Sequence, residues 1–281
     1  MENYEKYKDE VGLAILIRKT EEKLLNLYSR GKLFGTIHTC IGQEFVGVSV
    51  GRNIRSIDKI VSNHRCHGHF LSYKRNTIGL IGEIMGKSIG VCGGKGGSQH
   101  LHQDNFYSNG VQGGILPVAA GLAYAQKLEN SNGLTVVFIG DGTLGEGLVY
   151  ETMNIASKWE LPLLIVCENN LYAQSTGINE TLAGDIVGRA NAFDINTAHS
   201  NTWDWPNLFE SMTNSFNEVR KTRRPFFHLV DTFRLMAHSK GDDDRALDEI
   251  KEYKLRDPLN IIFSNKQNDN EFQKIVSDVV N

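Results

Sequence analysis

The sequence predicts an α/β protein with a three-layer, doubly wound, mostly parallel sheet. Three observations point there. Apolar, β-branched runs at Leu134–Ile139 and Leu161–Val166 flank a helical pattern at Glu146–Trp159, and strand, helix and strand joined by short connections make a parallel, right-handed unit. A further apolar run at Pro225–Phe233 repeats the alternation. The 28 glycines gather in patches such as GVCGGKGG (90–97) and NGVQGG (109–114), which marks turns and close backbone approach rather than flexible linker.

The remaining elements follow in order. Residues 4–30 place Val11, Ile15, Leu16, Leu24, Leu25 and Tyr28 at helical spacing, and Gly31 is a C-cap signal. Residues 41–50 read as a short helix. Residues 59–62 (KIVS) read as a strand leading into HRCHGH (64–69), and residues 78–86 as an amphipathic helix. The segment LPVAAGLAYAQKL (116–128) opens with a proline and carries Ala119, Ala120, Gly121, Ala123 and Ala125, a helix suited to close packing. The tail beyond about residue 250 reads as helical and peripheral. With no internal repeat, the expectation is a single domain over 1–281.

Composition narrows the function. A formal charge of -3 and a pI near 6.3 give no electrostatic reason to expect nucleic acid or an anionic membrane surface as partner. No apolar run approaches the roughly 20 residues that span a bilayer, and MENYEKYKDE resembles neither a secretory signal nor a transit peptide. The four cysteines, Cys40, Cys66, Cys92 and Cys167, lack C-x-x-C spacing, as expected of reduced thiols in the cytoplasm.

Chemistry concentrates where the central unit ends. Asp141 follows the first strand in GDG, and Asn170 follows the second in ENN, 29 residues later. In a parallel unit both lie at the carboxyl edge, where open α/β sheets bind ligands. An Asp oxygen and an Asn carbonyl are hard ligands that suit Mg²⁺ or Ca²⁺. A helix opening near Leu144–Glu146 would aim free N–H groups at the same place. HRCHGH raises the alternative of zinc, but His64, Cys66 and His67 would crowd one another, and no second ligand cluster matches. GGKGG lacks the spacing of a P-loop and reads as a tight loop lining a ligand channel. His102, His199 and His228 read as ordinary core or loop histidines.

GDG followed after about thirty residues by NN resembles the thiamine-diphosphate signature. HTCIGQE (38–44), HRCHGH (64–69), GGKGGSQH (93–100), NGVQGGILP (109–117), GDGTLGEG (140–147), WELPLLIVCENNLYAQST (159–176) and FRLMAHSKGD (233–242) are similar, in order, to motifs of the alpha subunits of thiamine-diphosphate-dependent 2-oxo acid dehydrogenases, of the pyruvate, acetoin and branched-chain types. The resemblance implies the diphosphate-binding domain of that fold and thiamine diphosphate with Mg²⁺ as cofactors. It implies Asp141, Asn170 and the Tyr172 carbonyl as metal ligands. Gly142 and Thr143 would meet the diphosphate through backbone amides, while His38, His64 and Arg65 would contact it. Gly110 and Gln112 would face the aminopyrimidine side. His238 corresponds to the active-site loop histidine, and His67 is taken with it as a catalytic candidate.

Two departures stand out. Met236 occupies the place of a second loop histidine, and His64-Arg65 stands where the family often has Tyr-Arg. The family's activating glutamate lies on a separate pyrimidine-binding domain. The resemblance therefore implies a beta subunit in an α2β2 assembly, and a lipoyl-bearing acyltransferase as acceptor. The alternatives are a split enzyme of the same superfamily that passes the acyl group to an aldehyde, and a cofactor-free scaffold subunit.

Overall fold

The computed structural model describes residues 2–33, 35–239, 241 and 243–280. Its strands are β1 (Lys59–Ser62), β2 (His102–Gln103), β3 (Phe106–Ser108), β4 (Thr135–Gly140), β5 (Leu163–Asn169), β6 (Tyr172–Ala173), β7 (Thr176–Gly177), β8 (Asn196–Asn201) and β9 (Phe226–Asp231). Among the described residues, seven form one sheet in the order β2-β3-β1-β4-β5-β9-β8, and β6 and β7 form a separate hairpin. Within the large sheet only the β2–β3 pairing is antiparallel.

The longer helices on one face are α2 (Lys8–Ser29), α3 (Glu44–Gly51), α4 (His67–Lys74) and α10 (Trp205–Thr222). A short α1 (Glu2–Lys6) precedes them, and α5 (Thr77–Ile84) lies beyond α4. The other face carries α6 (Ile115–Leu128), α7 (Gly147–Lys158) and α9 (Ile186–Asn191), with a single turn, α8 (Ile178–Thr181), beside the hairpin. The chain ends with α11 (Leu247–Arg256), α12 (Pro258–Lys266) and α13 (Asn270–Val280).

The strand pleat assigns side chains to two cores. Val136, Phe138, Leu164 and Val166 pack with α2, α3, α4 and α10, whereas Val137, Ile139, Leu163, Ile165 and Cys167 pack with α6, α7 and α9. Both faces of β4 and β5 are covered, which is why their sequences run apolar without alternation.

The predicted helices and strands of the central unit stand within a few residues of their expected ends. Gly31 ends α2 with φ +65°, and the Lys32 N–H closes on the Leu27 carbonyl at 2.9 Å. Strand β8, NTAHSN, was not expected, because a polar edge strand carries no apolar signal.

The tail departs from the peripheral reading. Asp257, at the start of α12, meets Arg18 at 3.1 Å, and Arg18 also binds Glu44, all three being buried. Phe272 of α13 is fully buried against Tyr4 and Phe263. Burying three charges is tolerable only as a paired cluster, so the tail is pinned to α2 and α3.

Candidate active site

Gly140 and Glu168 are register partners at the ends of β4 and β5. The chain leaves β4 into a tight 3₁₀ turn, Asp141–Gly145, and α7 begins only at Gly147 after an extended Glu146. The helix opening expected at Leu144–Glu146 is thus replaced by this turn. The turn places the backbone of Gly142 and Thr143 on a cavity of about 290 Å³, whose lining includes Asp141, Asn170 and Tyr172.

Asp141 is 2% exposed. Burial pushes its carboxyl up to about 6, although the backbone amides of Asn170 and Gly142 pull the other way. Asn170 accepts the Tyr172 N–H at 3.2 Å, and Leu171 between them sits at φ +71°, so the chain doubles back onto the cavity. A Cβ on Gly142 would stand 2.7 Å from the Ala173 Cβ. Only glycine allows the two loops to meet there.

The same cavity is lined by His64, Arg65, Gln112 and His238. His38 meets His64 edge-on at 4.6 Å between ring centroids and His238 at 4.8 Å. Nitrogens of all three rings lie within 4.8 Å of one another. Arg65 is buried, donates to the Thr39 carbonyl at 2.6 Å, and reaches His238 Nδ1 at 3.4 Å. Burial, then the Arg65 charge, pushes His64 down to about 2, so this imidazole is neutral. A fixed guanidinium beside the cluster repels a cation and favours an anion.

The zinc alternative at HRCHGH separates in space, because Cys66 and His67 turn away from His64. His67 is a correction to the sequence reading. It is fully buried, with Nδ1 3.1 Å from Glu21 Oε2 and Nε2 3.1 Å from the Ser98 carbonyl, and it does not line the cavity. His67 begins α4, whereas His64 lies before the helix, and the His67 ring is held instead by Glu21 and the Ser98 carbonyl. Gly110 is also set back from the cavity lining, with its carbonyl accepting from Gln112 Nε2 at 3.1 Å. Nor does the GGKGG loop line the cavity. The buried carboxylate of Glu83 holds it through the amides of Cys92 (2.7 Å), Gly94 (2.9 Å) and Gly96 (2.5 Å). His228 is an ordinary core histidine between Ser200 and Ser215.

The structure adds residues that the sequence reading passed over. Gln43, Asn63, Glu168 and Glu146 line the cavity. Arg234 is 1% exposed and donates to the Gln174 carbonyl at 2.8 Å, and burial pushes its guanidinium down to about 9. Arg245 donates to the Arg234 carbonyl at 2.6 Å and so braces the segment that carries His238. Lys240 and Asp242 of the FRLMAHSKGD motif lie outside the described residues. A charge inside an apolar run, as in TFRLM, was the available signal for Arg234.

Among the described residues, two buried polar atoms on this cavity have no hydrogen-bond partner, Gln43 Oε1 and His64 Nε2. Such orphans mark places where a ligand supplies the missing partner. Acid and amide oxygens at one sheet edge, sharing a cavity with buried guanidinium and imidazole groups, define a polar ligand site on an α/β fold.

Comparison with known proteins places this class. Residues 13–270 match the family model described as "Dehydrogenase E1 component". The chain is 33% identical over 251 residues to the pyruvate dehydrogenase E1 component subunit alpha of Rickettsia bellii, which covers 87% of this chain and 77% of that protein. The Zymomonas mobilis protein of the same name is 33% identical over 253 residues, 87% of this chain and 72% of its own length. The mitochondrial protein of Saccharomyces cerevisiae is 31% identical, covering 90% and 60%. The chain belongs to the dehydrogenase E1 component family, as an alpha subunit of the thiamine-diphosphate-dependent 2-oxo acid dehydrogenase type.

Proposed function

We propose that this alpha subunit serves a pyruvate- or acetoin-type dehydrogenase: with thiamine diphosphate and Mg²⁺ it decarboxylates or cleaves its substrate, and the acyl group passes to a lipoyl carrier. The observation that carries the reading is the convergence of Asp141 and Asn170 on one cavity with Arg65, His64 and His238. The relatives' names support a pyruvate-like substrate.

The residues present fit the cofactor. Asp141, Asn170 and the Tyr172 carbonyl would hold Mg²⁺, a hard-oxygen set of the kind that cation selects. Gly142 and Thr143 would offer backbone amides to the diphosphate, and His38, Arg65 and His238 would balance its charge. His64, neutral and with an orphaned nitrogen, supplies a hydrogen bond that titration does not remove. Gln112, on the cavity with Gly110 behind it, would face the aminopyrimidine side. The cofactor, when bound, supplies the electron sink for the carbon that loses carbon dioxide. This chain's own work is to neutralise the diphosphate, fix the cation, and bring His238 to the cavity mouth on a segment braced by Arg234 and Arg245.

A beta subunit in an α2β2 assembly would complete the site with the activating glutamate. In support, α6 and α7 leave an apolar groove open, lined by Pro117, Ala120, Gly121, Tyr124, Ile155 and Trp159. Trp159 is 51% exposed and nearby Val118 57%, and exposed apolar patches of this kind mark protein interfaces. All four cysteines are unpaired, which supports a reducing, cytoplasmic setting. Among the described residues no helix is long and apolar enough to cross a membrane.

The test is reconstitution. With the beta partner, thiamine diphosphate, Mg²⁺ and a lipoyl domain, we expect substrate-dependent acylation of the lipoyl group. Turnover of a 2-oxo acid by this chain alone would contradict the shared site, and product appearing only with an added aldehyde would contradict the lipoyl acceptor.

A further inference from the structure

Gln43 immediately precedes α3, is 2% exposed, and lines the cavity together with Asn63 and Glu168. Its amide has a defined orientation. Nε2 donates to Glu168 Oε1 at 3.4 Å, and turning the amide over would set oxygen against carboxylate. Oε1 therefore faces away from Glu168, and among the described residues it is buried without a partner. Leaving such an acceptor unsatisfied costs about 1–3 kcal/mol, a penalty that a ligand bearing a donor removes.

Glu168 points the same way. Its contacts with Gln43, Asn63 and His69 are all long, each 3.4 Å, so this carboxylate on the cavity lining, with several lone pairs, retains acceptor capacity. Its register partner Gly140 directly precedes Asp141. The two acceptors thus share the cavity with the residues proposed to hold the cation. A diphosphate at neutral pH presents oxygens and scarcely any donors. A water on a divalent cation presents two protons, made more acidic by the metal. Mg²⁺ demands a near-ideal octahedron and usually keeps water among its ligands.

We propose that Gln43 Oε1 and the Glu168 carboxylate receive the protons of a water on the cation held by Asp141 and Asn170, which makes Gln43 a positioning residue for the metal's hydration. The inference rests on the cofactor reading above. It assigns Gln43 no contact with substrate. Gln43 instead orients the outer shell of the cation, the role that hydrogen-bonded partners play around metal ligands generally.

The test uses Mn²⁺ as a spectroscopic stand-in, with saturating thiamine diphosphate and the full chain in complex with its partner. Free Mn²⁺ is read by electron paramagnetic resonance, and access of bulk water to the bound ion by water-proton relaxation. We expect Gln43→Met to weaken Mn²⁺ binding about 10- to 100-fold and to change the proton relaxation of bound Mn²⁺. The melting temperature of the metal-free protein should hold or rise, since the variant removes a buried unsatisfied acceptor. Unchanged Mn²⁺ binding in Gln43→Met, or a loss that merely tracks a lowered metal-free melting temperature, would overturn this inference alone. Failure of the wild type to bind Mn²⁺ with thiamine diphosphate would overturn the cofactor reading and this inference with it.

Discussion

Gly142 and Ala173 touch where the loops after β4 and β5 meet, so closely that a Cβ on Gly142 would lie 2.7 Å from that of Ala173. The contact holds the Asp141 turn against the hairpin that carries Tyr172. Gly142→Val should force the loops apart at a cost of about 1–3 kcal/mol. Because the strain falls on the site rather than the core, Mg²⁺-dependent cofactor affinity should drop by about 5- to 150-fold for a strain of that size. Calorimetric titration beside thermal melting checks both; undiminished affinity would show that the loops need not touch.

His67 and Glu21 form a buried pair behind the cavity wall. Burial raises the Glu21 carboxyl, but His67 and the Cys40 amide outweigh it and hold it below the usual carboxylate range. His67→Ala should cost about 3–5 kcal/mol of stability by leaving a buried charge unpartnered. Turnover per folded molecule in the reconstituted complex should change far less than after His238→Ala. A large kcat loss with unchanged melting would restore His67 as a catalytic group.

Glu83 gives the fold an acid sensitivity. Burial opposes its ionisation, yet the amides of Gly94, Cys92 and Gly96 hold its carboxyl below the ordinary value. The stabilisation is therefore fully present above the unfolded carboxyl's pKa of about 4.3, and is lost as pH falls through the lower folded value. Glu83→Gln should melt well below wild type at pH 7, with the gap narrowing toward pH 3. A gap independent of pH would show that charge is not what binds the glycine loop.

Asp141 runs the opposite way. In the cation-free protein a carboxyl raised from 3.8 to about 6 is bound to its proton more tightly than in the unfolded chain. Ionised at pH 7.5, it costs roughly 3 kcal/mol at most. Asp141→Asn should therefore raise the cation-free melting temperature at pH 7.5, with the advantage gone below about pH 4. No gain at pH 7.5 would mean the buried carboxylate already has a compensating partner.

Much of this was legible in the sequence, because the strongest signals are backbone signals. The β4–α7–β5 unit is written in continuous apolar strands, and GDG and NN fall at their ends. His67 was misplaced because position in a motif does not say which side of a helix start a side chain takes. Gln43, Asn63 and Glu168 reach the cavity from three separate elements, and no local spacing links them. The tail looked peripheral because its anchor, Asp257, is a single polar residue whose partner Arg18 lies more than 200 residues away. Long-range pairing of buried charge leaves no periodic trace.

The most direct test is titration of the wild-type chain and Asp141→Ala, each in complex with the beta partner, with thiamine diphosphate in the presence and absence of Mg²⁺. The expected result is wild-type binding that requires Mg²⁺ and is lost in Asp141→Ala while the fold stays intact by circular dichroism. Equal affinity in the two proteins, or wild-type binding indifferent to Mg²⁺, would contradict the proposal that Asp141 and Asn170 hold the cation.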